Sequence, residues 1–197
     1  MATRPEVILV RHGETEWSRA GRHTSSTDLP LTDSGERQAR ELCSALAGLA
    51  FALVLSSPLI RARRTAELAG FDEPELDDDL RELDYGDYEG RTTADIQGEV
   101  PGWTVWTGVL PGGESLADAA ARADRVIERI RVVDGSVLVF GHGHLSRILA
   151  ARWCGLPPAV GAHLVLGTAS VSSLGYERAA PALRFWNVAI EQLVGSD

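Results

Sequence analysis

The sequence predicts an α/β fold, and three observations carry that reading. Two short apolar runs each end in a histidine: Val7, Ile8, Leu9, Val10 leads into Arg11, His12, Gly13, Glu14, Thr15, and Val137, Leu138, Val139, Phe140 leads into Gly141, His142, Gly143, His144. Short continuous apolar runs are what strands buried on both faces require. A third run, at 52–56, is separated from the first by a segment of helical spacing, so strand, helix and strand follow in the order of a parallel βαβ unit. In an open sheet of this class catalytic groups collect just beyond the carboxyl ends of the strands, so the two histidines are expected to share one pocket.

The elements follow in order. Strands are expected at 6–10 and 52–56. Between them a helix runs from Asp33 to Leu49, with Leu42, Ala45, Leu46 and Leu49 on one face and Thr32 or Asp33 as its cap. A second helix begins after Pro58, passes through Arg64 to Ala69 and stops at Gly70. The section 71–114 is less regular, with Asp77, Asp78, Asp79 and a scatter of glycines, tyrosines and tryptophans, and reads as a lid or pocket wall. From Ser115 to Val132 the residues Leu116, Ala119, Ala120, Ala123, Val126, Ile127 and Ile130 recur at helical spacing, an amphipathic helix feeding a strand at 136–141. A helix at 143–153, a turn at Pro157 and Pro158, and strand-like runs at 170–176 and 182–188 complete the chain. Its 197 residues suit one domain, 1–197, with 71–114 as an insertion, and no repeat or linker is visible.

A net charge of −9 argues against a broad nucleic-acid footprint or an anionic membrane surface as main partner, so any anion site must be built locally. The start of the chain lacks a charged n-region followed by a long apolar stretch, and no apolar run approaches the roughly 18 residues of a membrane span; a cytoplasmic protein is expected. Cys43 and Cys154 sit among apolar neighbours in helical patterns and are expected to be buried free thiols.

The chemistry-bearing residues point to phosphate. Arg11 beside His12 at a strand end is an arrangement suited to holding a phosphate against a nucleophile: imidazole attacks phosphorus only when neutral, and adjacent guanidinium charge lowers its pKa. The planar fork of arginine pairs two phosphate oxygens at once. Arg61, at the start of the second helix in SSPLIRARRTA (56–66), adds a guanidinium where a helix N-terminus already favours anions. Arg63 and Arg64 read as solvated helix-face charges. Departure of an alcohol needs a positioned acid, and Glu82, Asp84, Asp87 and Glu89 all lie in LRELDYGDYEG (80–90), where spacing does not choose among them.

Together with TDLPLTDSG (27–35), PGGES (111–115) and GHGH (141–144), these blocks resemble the histidine phosphatase superfamily, in its phosphoglycerate-mutase-like branch, over nearly the whole chain. The resemblance implies a three-layer α/β/α sandwich around a mostly parallel sheet. It implies His12 as the phosphorylated nucleophile, Arg11 and Arg61 as phosphate-binding arginines, His142 as the second pocket histidine and Glu82 as the proton donor. Ser18, Thr24 and the Gly143 amide occupy positions where relatives contact phosphate oxygens, and Tyr85 one where a tyrosine lines the pocket. No cofactor or metal is implied, although His142 and His144 stand two apart. His144 is expected at the pocket edge. His23 reads equally as a substrate contact or a solvated loop residue.

Mutases of this branch are longer and carry a basic stretch after the glutamate block. Here 91–110 offers only Arg91, with Trp103 and Trp106 instead, and Ser25 and Ser26 stand where mutases have glycine and tryptophan. The pattern is more similar to acid and sugar-phosphate phosphatases, including sedoheptulose-bisphosphatase-like members. A phosphatase of a small phosphorylated metabolite is therefore expected, ahead of a bisphosphoglycerate-dependent mutase and of a noncatalytic phosphate sensor. A homodimer is compatible with the sequence. Trp103 and Trp106 read either as walls of a sugar-sized pocket or as packing of the lid, and Trp17, Trp153 and Trp186 as core or interface residues.

Overall fold

The computed structural model describes residues 4–189. Strand β1 (Val7–Arg11) is followed by a one-turn helix α1 (Glu16–Arg19), then α2 (Asp33–Leu46), β2 (Leu53–Ser56), α3 (Ile60–Leu68) and the two-residue β3 (Glu75–Leu76). Then come α4 (Thr93–Glu99), α5 (Leu116–Arg131), β4 (Val137–Gly141), α6 (Gly143–Trp153) and the strands β5 (Val171–Glu177) and β6 (Ala180–Val188). One sheet holds the strands in the order β3-β2-β4-β1-β5-β6. The first four are parallel, and the β5-β6 hairpin adds antiparallel to the far side of β1.

Alternation along the central strands divides the core. Val7, Leu9, Val137 and Val139 face one side, with Ala123, Ile127, Ile148 and Leu149 of α5 and α6. Ile8, Val10, Leu138 and Phe140 face the other, with Leu42, Leu46, Ala66 and Ala69 of the α2 and α3 layer. Side chains of period two therefore require helices on both faces, which gives the three layers. Burying each large apolar side chain contributes about 1.5–3 kcal/mol. The register sets Arg11 opposite Gly141, so β1 and β4 end level and their next residues, His12 and His142, emerge side by side.

Local differences from the sequence reading have physical causes. Helix α2 stops at Leu46 because Ala47 is extended and Gly48 has φ +81°, which leaves Leu49 52% exposed rather than on the apolar face. Cys43 is exposed and Cys154 half-buried, so the expectation of two buried thiols does not hold. Cys43 follows the buried Leu42 by one residue, about 100° round the helix, and so faces out. Within 71–114 stand β3, α4 and two short 3-10 turns where irregular chain was expected. Thr92 and Asp95 cap α4 reciprocally, a signal present in the sequence. The acidic run is held to α5, Asp77 by Arg129 at 2.9 Å and Asp79 by Arg125 at 2.8 Å. Among the described residues no helix is long and apolar enough to cross a membrane.

Candidate active site

His12 is fixed by the strand end it follows. Its amide donates to Gly141 O at 2.9 Å, and its Nδ1 lies 2.7 Å from Gly13 O. A carbonyl only accepts, so the imidazole proton sits on Nδ1 and the Nε2 lone pair is available. The Gly13 amide donates to Thr65 Oγ1 at 3.0 Å, and Thr65 in turn donates to Arg61 O at 2.7 Å. A Cβ on Gly13 would stand 2.5 Å from Gly35 O, and one on Gly35 would strike Glu14 O. Both glycines are needed for the backbone after β1 to lie directly on the start of α2.

Arg61 and His142 are fully buried. Arg61 Nε donates to His142 Nδ1 at 3.3 Å, and its other nitrogens donate to the carbonyls of Thr24, Ser25 and Thr27. His142 Nδ1 thus accepts, and Nε2–H donates to Ser57 Oγ at 2.7 Å. The His12 and His142 rings are 5.3 Å apart between centroids.

Glu82 is the carboxylate that the fold brings inward. Its Oε1 accepts from the amides of Leu83 and Leu145, both at 2.9 Å, and its Oε2 from His144 N at 3.0 Å. The first turn of α6 therefore tethers it. Asp84 and Asp87 are exposed, and Glu89 is occupied by the Ser25 and Thr27 amides. Arg122 clamps the chain before Glu82 by donating to Asp79 O and Arg81 O, and it pairs with Glu114, which accepts from Asp84 N.

These elements enclose a cavity of about 430 Å³ lined by Arg11, His12, Glu82 and Gly143, together with Ser18, His23, Thr24, Tyr85 and His144. Arg61 and His142 lie behind this lining. A Cβ on Gly143 would be 3.4 Å from Arg11 Cζ and 3.5 Å from Glu82 Oε2, so the guanidinium and the carboxylate bracket that glycine. Ser18 also caps α1 reciprocally with Thr15. Tyr85 OH and His144 Nδ1 are 2.7 Å apart, and the buried His23 ring lies tilted at 37° to the Tyr85 ring, 4.7 Å between centroids. A histidine phosphatase superfamily (branch 1) model matches residues 7–189.

The chain belongs to that superfamily.

It is 43% identical over 176 residues to an acid phosphatase of Mycobacterium tuberculosis, covering 87% of this chain and 86% of that one. It is 37% identical over 186 residues to sedoheptulose 1,7-bisphosphatase of Saccharomyces cerevisiae, covering 77% and 68%. A solved structure of an open reading frame of Mycobacterium tuberculosis superposes with a TM-score of 0.91 at 38% identity, covering 95% of this chain and 100% of that one.

In this histidine phosphatase the electrostatics keep the site histidines neutral. Burial, then the charges of Arg11 and Arg61, hold His12 well below the usual imidazole value. Burial, then Arg61, does the same for His142, and burial, then Arg147, for His144. Burial, with the Glu82 charge, pushes the Tyr85 phenol up.

The two tryptophans in question separate. Trp106 lines the cavity, whereas Trp103 is buried, its indole N–H donating to Val109 O at 3.1 Å. Trp153 is fully buried, and Trp17 and Trp186 are half-buried. Arg22 and Arg147 line the cavity without having been read from the sequence. For Arg147 a signal existed: it follows Gly143 by four residues, on the same helix face.

Proposed function

We propose that this enzyme is a metal-independent phosphomonoesterase acting on a small phosphorylated metabolite through a phosphohistidine on His12. The observation that carries the reading is the orientation of His12: Nδ1–H is held by Gly13 O, which frees Nε2 in a cavity shared with Arg11 and Glu82. In the first transfer Nε2 bonds to phosphorus, the P–O bond to the leaving oxygen breaks, and Glu82 gives that oxygen its proton. In the second, the Glu82 carboxylate takes a proton from water, the hydroxide bonds to phosphorus and the P–N bond breaks. Arg11, the Gly143 amide, and Arg61 with His142 behind the wall supply the electrostatic stabilisation. Tyr85, Thr93, Val105 and Trp106 in the lining support the reading of 71–114 as a pocket wall.

Hydrolysis rather than mutation is favoured because Arg91, the sole basic residue of 91–110, is committed to Glu99 at 2.6 Å. The names of the relatives support phosphorylated sugars and similar esters as substrates. A panel of sugar phosphates, glycerates and nucleotides, run with and without bisphosphoglycerate, tests the assignment through phosphate release. Isomerisation that depends on bisphosphoglycerate and outpaces phosphate release would overturn it. Brief incubation with radiolabelled substrate is expected to yield an acid-labile, alkali-stable phosphoenzyme that His12→Ala does not form.

A further inference from the structure

Arg147 brings a charge to the cavity lining that the field of Glu82 reaches but that no carboxylate contacts among the described residues. The described half-buried arginines divide in two. Arg64, Arg91, Arg122, Arg129 and Arg152 each face a carboxylate within 3.1 Å, whereas Arg11 and Arg147, both in the cavity lining, form no ion pair among the described residues. A partly desolvated cation without a counterion is costly, so an unpaired one on a substrate cavity marks a charge that the ligand is to bring. Arg11 serves the transferring phosphoryl group. Arg147 is left over.

Its guanidinium is held in place before any ligand arrives. It lies 4.5 Å from the Trp106 ring centroid, and its Nε and Nη2 donate to Gly161 O at 2.8 Å and Ala162 O at 3.2 Å. A Cβ on Gly161 would stand 2.7 Å from Trp106 Cζ3, so that glycine lets the indole seat. Carbonyls and an aromatic face orient the fork without cancelling its charge. The lining as a whole holds three arginines, Arg11, Arg22 and Arg147, against one carboxylate, Glu82, in a chain of net charge −9.

We propose that Arg147 forms a second-anion subsite, so that preferred substrates carry a further phosphate or carboxylate on the ester's carbon skeleton. The inference rests on the phosphomonoesterase reading and names its substrate class. Arg147 is then a specificity-determining residue. Its contribution is binding present in both ground and transition states, and its loss appears mainly in KM.

The test compares kcat/KM within two pairs, fructose bisphosphate against fructose monophosphate and phosphoglycerate against glycerol phosphate, for the native enzyme, Arg147→Gln and Arg147→Lys. The native enzyme is expected to favour the two-anion member of at least one pair. Arg147→Gln is expected to reduce that preference roughly 10- to 100-fold, as for loss of a charge-assisted contact, with Arg147→Lys restoring part of it. The pair that responds identifies the second anion as phosphate or carboxylate. An unchanged ratio in Arg147→Gln, or equal losses for both members of each pair, would overturn the subsite and leave Arg147 as a brace for Trp106. Phosphate release from none of the four compounds would overturn the phosphomonoesterase reading and the subsite with it.

Discussion

Thr65 joins the loop after β1 to α3: its hydroxyl accepts from Gly13 N at 3.0 Å and donates to Arg61 O at 2.7 Å. The residue whose amide it grips, Gly13, is the one whose carbonyl orients His12. Thr65→Val keeps the shape but leaves a buried amide unpaired, at a cost of about 1–3 kcal/mol. We expect a lower urea midpoint together with reduced kcat, because the imidazole loses its alignment. Loss of stability with unchanged kcat would detach Thr65 from His12.

Glu82→Gln keeps the size of the side chain and removes the transferable proton. The expected loss in kcat for an alkyl phosphate is about 10²- to 10⁴-fold, and smaller for p-nitrophenyl phosphate, whose leaving group needs little protonation. Measuring both substrates decides the point. Equal losses would reassign Glu82 from proton transfer to anchoring the start of α6.

His12 and His142 have folded-state pKa values well below 6.5, caused first by burial and then by the neighbouring arginines. Below 6.5 the unfolded chain binds protons that the folded site refuses, so stability must fall as pH falls from 6.5 towards the depressed values. Each group adds up to about 1.4 kcal/mol per pH unit in that window. Urea melts across the window are expected to show midpoints declining on acidification; a flat or rising trend would contradict the neutral pair. For the same reason the acid limb of kcat/KM is expected below 6.5, since His12 stays neutral in mild acid.

Two glycines are expected to respond with opposite sign. A Cβ on Gly35 meets the backbone of Glu14, which has no flexible end to yield, so Gly35→Ala should cost about 1–3 kcal/mol and disturb the loop after His12. Gly98, in α4, faces open space, and Gly98→Ala should stabilise by about 0.4–1 kcal/mol. Thermal denaturation of the two variants checks both; equal shifts would mean that the Gly13–Gly35 approach is not a constraint.

Much of this protein is local in character and therefore legible in order. Apolar runs of strand length, the 3.6-residue period of 116–130 and the histidines at two strand ends follow from near-neighbour sterics and burial, and they placed β1, β4, α5 and the His12–His142 pair. Even some missed features were local: Thr92 and Asp95 spell the cap of α4, and Arg147 stands one turn from Gly143. The family blocks named Glu82, but spacing alone left it level with Asp84, Asp87 and Glu89. That choice is made by contacts across the chain, from the amides of α6 to the Arg122 clamp, and no short window holds both sides of them. The same holds for Trp103 and Trp106, three residues apart in one segment, of which one is buried with its N–H on Val109 O and the other lines the cavity. By itself the sequence determined the long helices, the core strands and which residues carry reactive groups, because period, propensity and side-chain chemistry are written residue by residue. Only the tertiary structure decided which half-buried arginines form no ion pair among the described residues, because charge pairing depends on distances between segments far apart in the chain, and it left Arg11 and Arg147 facing the cavity.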